Sequence, residues 1–172
     1  QSGQSPDICQ MMQTARNQGA TTVAIVNKVD SPLAQLADFV LPLYVGEEKA
    51  VAATKSYIGS LTVLIQLTAI LANNQTLLTA MEAMPTILAE AMNQDWSAAI
   101  DLLTPAKSTL VLARGFGFPI AQEAALKLKE TSSIHAESFS GAEVLHGPFA
   151  ALNKGFPVLM FLQQDATLDD ML

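Results

Sequence analysis

Residues 21–45, TTVAIVNKVDSPLAQLADFVLPLYV, decide the fold. The run TTVAIVN at 21–27 is short, apolar and rich in β-branched side chains, the composition of a strand buried on both faces of a parallel sheet. Asp30-Ser31-Pro32 then supplies a helix start, LAQLA a short helix, and FVLPLYV at 39–45 a second apolar run. Upstream, Ser5-Pro6-Asp7 opens an earlier helix, with Ser as the N-cap and Pro at the first helical position, running toward Gly19. Helix, strand, helix, strand with turns of a few residues is the rhythm of a parallel α/β sheet. Pro42 cannot donate to a ladder, which puts the second strand at an edge or at its own end.

After Gly46 the pattern changes. GEEKAVAATK is charged and small, and residues 56–81, SYIGSLTVLIQLTAILANNQTLLTAM, carry no charge at all. Such a stretch raises the question of a membrane span. Gln66 interrupts it, Asn73-Asn74-Gln75 ends its apolar part, and Lys/Arg flanks and an aromatic belt are missing, so the expectation is a buried helix followed by one or two more up to about Leu103. At Ser108 the strand signal returns as TLVLA, followed by a Gly-bearing turn, Pro119, and a helix to about Thr131. This repeats the layout of the start. A further strand is expected in FPVLMFL at 156–162 and the beginning of another helix at 165–172. The organisation expected is the C-terminal part of a first α/β unit at 1–55, a helical connector at 56–107, and the N-terminal part of a second unit at 108–172. With no initiator Met at its head, the sequence reads as an interior stretch of a longer polypeptide, with both sheets incomplete.

Half of the 172 residues are apolar, enough for a real core. A net charge of -7, with only 9 Lys and Arg and no basic run, argues against nucleic acid as a partner. An anionic small ligand is then compatible only where local N–H groups and hydroxyls supply the attraction. QSGQSPD at 1–7 is such a place: a polar turn feeding a helix N-terminus, where free amides and the positive end of the helix dipole point outward. The lone Cys9 builds neither a disulfide framework nor a cysteine metal site and fits a reducing compartment. His135 and His146 lack zinc-site spacing, and no metal is expected.

The densest polar stretch is residues 123–152. On a helix Glu123, Lys127 and Glu130 fall within about 60° of one another, opposite an arc of Ala121, Ala124, Ala125 and Leu128 suited to lying on a sheet. From spacing alone the charged face is an exposed Glu-to-Lys pair, worth about 0.3–0.5 kcal/mol. Gly141 to Gly147 forms a short turn or helix closing on His146-Gly147-Pro148. A carboxylate at a helix end and an imidazole make an acid/base pair, Glu130 for carbon-bound protons and His146 for hydroxyl protons, although periodicity does not bring the two together. His135 takes a structural role.

SGQSPD at 2–7, VAATKSY at 51–57, ARGFGFPIAQEAALKLKE at 113–130 and HAESFSGAEVLHGP at 135–148 resemble, in this order, the sugar isomerase (SIS) domain family. The resemblance runs closest to the isomerase part of the glucosamine-fructose-6-phosphate aminotransferases and to the SIS-type glucosamine-6-phosphate deaminases. It implies two doubly wound, three-layer αβα units with parallel sheets, joined by helices, and a cytoplasmic homodimer with a shared site. The family's phosphate loop, Ser-x-Ser-Gly-x-Thr/Ser, falls on Gln1, Ser2, Gly3, Gln4 and Ser5. By the same resemblance Val51 and Ala53 lie against the sugar and Lys127 stands beside the site. Glu130 moves a proton between C1 and C2, and His146 helps open the sugar ring, reaching across the subunit interface in relatives. No cofactor is implied.

Two departures bear on function. Relatives of the aminotransferase type carry Ser where Ala53 stands and Lys where Leu145 stands. On those residues the expected activity is an isomerising glucosamine-6-phosphate deaminase, giving fructose 6-phosphate and ammonia. The alternatives are the isomerase domain of the glutamine-dependent aminotransferase and a non-catalytic sugar phosphate sensor.

Overall fold

Strand β1 (Val23–Val26) pairs in parallel with β2 (Phe39–Pro42), Val23 opposite Phe39 and Val26 opposite Pro42. Parallel pairing requires a crossover, supplied here by the short helix that the Asp30-Ser31-Pro32 start predicts. The computed structural model describes residues 2–172, so Gln1 lies outside the described residues. Helix α1 (Pro6–Asn17) precedes β1, and α2 (Pro32–Leu36) links the strands, with Ser31 Oγ accepting from the Ala34 amide. Pro42 closes its strand, where its missing donor costs nothing. Ala24, Val26 and Ala34 form the buried core, with Met12, Leu33, Ala37 and Val40 packed around them.

Asp38 fixes how this small sheet begins. Its Oδ2 accepts from the Thr22 amide at 2.9 Å and the Thr22 hydroxyl at 2.8 Å, and Arg16 Nε lies 3.4 Å from Oδ1. The Thr22 hydroxyl bond, then the Thr22 amide, then the Arg16 charge hold the Asp38 carboxyl below the usual carboxylate range. A carboxylate depressed in the folded state adds stability that is present above its unfolded pKa, about 3.9, and is lost as pH falls through the folded value. Asp38→Asn is therefore expected to melt below the parent at pH 7, with the two melting curves converging below about pH 4. Thermal unfolding followed by circular dichroism across that range checks it.

The uncharged stretch does not form one long helix. Helix α3 (Lys55–Leu71) ends where Asn73 adopts φ 50°, and Asn74 caps α4 (Gln75–Glu82) by accepting from the Leu77 amide at 3.0 Å. Among the described residues, no helix is long and apolar enough to cross a membrane. Helix α5 (Met84–Met92) follows, and the chain divides into two compact units, the first ending at Asn93 and the second running Gln94–Leu172.

In the second unit α6 (Ser97–Leu103) leads to a three-stranded parallel sheet of β3 (Ser108–Ala113), β4 (His135–Ser140) and β5 (Val158–Met160), with β3 in the middle. A 3-10 turn at Gly115–Gly117 and helix α7 (Phe118–Ser132) make the crossover from β3 to β4. Both faces of β3 are covered. Val111 and Ala113 pack with Ala121, Ala125 and Ala136, so the small arc of α7 lies on the sheet as the helical spacing predicts. Leu110 and Leu112 face the other way, against Val144 and Met171. The short helix α8 (Gly141–Val144) precedes a second 3-10 turn at Pro148–Ala151.

The helix expected at 165–172 is absent. Asp165 Oδ1 instead accepts from the amide and hydroxyl of Thr167, at 2.8 and 2.6 Å, a local turn that competes with helical hydrogen bonding. The turn brings Met171 in to fill the core beside Gly141.

Candidate functional site

The polar turn at the head of α1 is built around Gly3. This residue is buried at φ +64°, and its carbonyl accepts from the Leu33 amide at 3.0 Å. The turn is thereby fastened to the start of α2. Ser2 and Gln4, both exposed, point away from that anchor, and Ser2 Oγ accepts from the Gln4 amide at 3.4 Å. Ser5 occupies the N-cap position of α1, but its side chain makes no cap bond, contrary to the N-cap expectation. Its carbonyl takes the Cys9 amide at 3.1 Å, so the backbone alone opens the helix.

Ser2 and Gln4 line a cleft of about 790 Å³ together with Asn27, Lys28, Tyr44, Gly46, Glu47 and Glu48. Asn27 and Lys28 directly follow β1, and ligands of open parallel sheets bind outside the carboxyl ends of the strands. The far wall is held by Asn27, whose amide donates to the Gly46 carbonyl at 2.5 Å and whose Oδ1 accepts from the Val45 amide at 3.3 Å. Glu48 Oε2 accepts from the amides of Thr54 (3.1 Å) and Ser56 (3.0 Å) and from the Ser56 hydroxyl (2.7 Å). The Ser56 amide, the Ser56 hydroxyl, the Thr54 amide and the Lys55 charge, in that order, hold its carboxyl below the usual range, against the desolvation that raises it. Val51 is fully exposed on the loop between Glu48 and α3, and Ala53 is half-buried there.

The second unit carries the charged face of α7. Lys127 Nζ lies 3.4 Å from Glu123 Oε1 and 2.5 Å from Glu130 Oε2. The Glu130 bond, the largest effect, raises the Lys127 pKa against burial, which lowers it, and Glu123 adds to the rise, so this lysine is a fixed ammonium between two carboxylates. Side chains of Lys127 and Glu123 are each 21% exposed and that of Glu130 36%. The pair is therefore more sheltered than the surface pair that spacing alone describes, and it is a three-residue network. Glu123, which spacing reads as a surface partner, is a member of it.

His146 is exposed in the segment after α8, its backbone amide donating to the Glu143 carbonyl at 2.9 Å. Among the described residues, no hydrogen bond or ion pair joins it to Glu130. His135 and Glu137 lie on the same side of β4 and are both exposed. No group of three or more His, Cys, Asp or Glu side chains suited to a metal ion occurs among the described residues.

The SIS domain profile matches residues 1–70 and 102–170. The chain is 34% identical over 175 residues to the isomerizing glutamine–fructose-6-phosphate aminotransferase of Aquifex aeolicus, covering all of this chain and 30% of that protein. The C-terminal domain of the glucosamine-fructose-6-phosphate aminotransferase of Francisella tularensis superposes with a TM-score of 0.89 at 31% identity, over 100% of this chain and 52% of that one. A crystal structure from Silicibacter pomeroyi, provisionally described as a phosphosugar isomerase, superposes with a TM-score of 0.94 at 40% identity, over 99% of this chain and 52% of that one.

Proposed function

The chain belongs to the SIS domain family, and on that premise we propose that it is the isomerase part of an enzyme that makes glucosamine 6-phosphate from fructose 6-phosphate. One observation carries the choice over the deaminase: the chain aligns over its full length, at 34% identity, with an aminotransferase of that chemistry. The division into SIS-type units at 1–55 and 108–172, joined by helices at 56–107, belongs to the same reading. So do a homodimer with a shared site and a cytoplasmic location.

In this reading the phosphate sits on the Ser2–Ser5 turn. The Ser5 hydroxyl is not spent on capping α1, and the positive end of the α1 dipole adds to the attraction. Glu48, although anionic, is turned toward the donors at the start of α3. With nitrogen on C2 as an imine, Glu130 removes a proton from C1, the electron pair forms the C1=C2 double bond, and the C=N pair moves onto nitrogen, which takes up a proton. The same carboxyl then returns the proton to C2 as the C1 hydroxyl becomes the aldehyde. Lys127 holds Glu130 oriented between transfers. His146 handles the hydroxyl protons of ring opening.

Ala53 and Leu145 favour a second reading, the deaminase that runs the carbon chemistry in reverse and releases ammonia. The intact protein distinguishes the two. Fructose 6-phosphate with glutamine is expected to give glucosamine 6-phosphate and glutamate, and glucosamine 6-phosphate alone is expected to release no ammonia. Ammonia and fructose 6-phosphate from glucosamine 6-phosphate without glutamine would assign the deaminase instead.

A further inference from the structure

Glu48 is tied down by the first residues of α3 and the residue before it. It accepts three hydrogen bonds at the start of α3, from the backbone amides of Thr54 and Ser56 and from the Ser56 hydroxyl, and Ser56, which supplies two of them, is only 3% exposed. A second tie runs beside it, from Lys55 Nζ to the Glu47 carbonyl at 2.8 Å. Residues 49–54 are thus closed into a loop whose two ends are clamped together. The clamp stands on the cleft, because Gly46, Glu47 and Glu48 line it together with Ser2 and Gln4. At its start the segment between β2 and α3 is held by the buried Leu43 and by Asn27, which bonds Val45 and Gly46. Tyr44 adopts φ 52° and Gly46 φ +70°, Tyr44 is 87% exposed and Val51 wholly so, and no apolar residue of 46–54 enters the buried core.

We propose that Glu48 is a positioning residue: its carboxylate, bonded to Thr54 and Ser56, sets the wall of the cleft that faces the Ser2–Gln4 turn and so fixes the width available to a phosphosugar. The proposal rests on the reading of that cleft as the phosphosugar site. An anionic side chain lining a site for an anion would ordinarily repel it. Here the negative charge lies at the N-terminus of a 17-residue helix, whose dipole and amides compensate it. The same bonds that order the loop therefore also take the charge out of the ligand's way.

The test uses the intact protein with Glu48→Ala and Glu48→Gln, read by amide hydrogen exchange and by fructose 6-phosphate binding and turnover. The Gln carbonyl can still accept from the same amides, so the conservative variant separates shape from mere presence. Glu48→Ala is expected to lower the protection of the Thr54 and Ser56 amides at least about tenfold. It should raise KM for fructose 6-phosphate by about the same factor while kcat changes less than about threefold, because uniform binding is lost and the chemistry is untouched. Glu48→Gln should recover most of both. Unchanged protection in Glu48→Ala overturns the proposal, as does weakened binding with protection intact, which would make Glu48 a direct ligand contact. A parent protein that binds no fructose 6-phosphate overturns the reading of the cleft, a result distinct from either of these.

Discussion

Glu130→Gln is expected to leave fructose 6-phosphate binding within about threefold of the parent while turnover falls by about 10²–10⁴, the range that a positioned acid/base group contributes. The reasoning is local. Gln is isosteric with Glu and its amide oxygen can still accept from Lys127 Nζ, so the geometry of the α7 face persists. What disappears is the ability to take a proton from carbon and give it back. Binding survives because the phosphate contacts assigned to Ser2–Ser5 lie in a different unit. Stability should hardly change, since Glu130 is among the more exposed members of its network and its partner Lys127 keeps Glu123. The sharpest readout is exchange of the substrate's carbon-bound hydrogen with deuterated solvent. Exchange is expected to stop along with turnover, and a variant that retained turnover within about tenfold would remove Glu130 from the proton-transfer role.

The parts of this molecule that were legible in the sequence are those set by period and by punctuation. The run at 21–27 and TLVLA at 109–113 read as strands because buried parallel strands are continuous and β-branched. Ala121, Ala124, Ala125 and Leu128 read as a sheet-facing arc because helical spacing admits no other common face. Contacts set by the path of a loop were not legible. Glu48 reaches Thr54 and Ser56 at separations of six and eight residues, which match neither a helical turn nor a strand alternation. The tail at 165–172 misled for a related reason. Its composition suits a helix, but the Asp165–Thr167 turn and the seat for Met171 in the core outweigh that weak preference. In the site, Lys127 and Glu130 are neighbours because of their spacing on one helix, whereas His146 stands on a segment whose course no periodicity dictates. His146 draws notice as an imidazole on the bend before Gly147-Pro148, whereas for Val51 and Ala53 the family resemblance is the whole of the signal. Ser5 shows the opposite limit. The cap rule places the start of α1 correctly, yet the hydroxyl that the rule assigns to capping makes no such bond.

Gly3→Ala is expected to cost the fold about 2–4 kcal/mol, from a left-handed backbone penalty of roughly 1–2, a clash, and a strained hydrogen bond. A Cβ built on Gly3 would stand 2.1 Å from Ser31 Oγ and 2.6 Å from Ser31 Cβ, distances that real side chains do not tolerate. Ser31 cannot simply swing aside, since it is 2% exposed and its Oγ caps α2 through the Ala34 amide. Whichever side yields, the Gly3 carbonyl moves relative to the Leu33 amide, and the turn carrying Ser2 and Ser5 moves with it. Fold and phosphosugar affinity are therefore coupled at this residue, and fructose 6-phosphate binding should weaken at least about tenfold. Gly19 provides the control. It also has positive φ, at +82°, but nothing lies within 4 Å of its added Cβ, so Gly19→Ala should carry the backbone penalty alone, about 1 kcal/mol, and leave binding unchanged. A rescue follows from the same geometry. Glycine is tolerated at an N-cap at a cost of only a few tenths of a kcal/mol, so adding Ser31→Gly to Gly3→Ala removes both close contacts and should bring stability near that of Gly19→Ala. Urea unfolding of the four proteins decides the matter. Equal losses for Gly3→Ala and Gly19→Ala would mean that the packing of Gly3 against Ser31 does not hold the turn in place, and the route from buried glycine to phosphate cradle would fail with it.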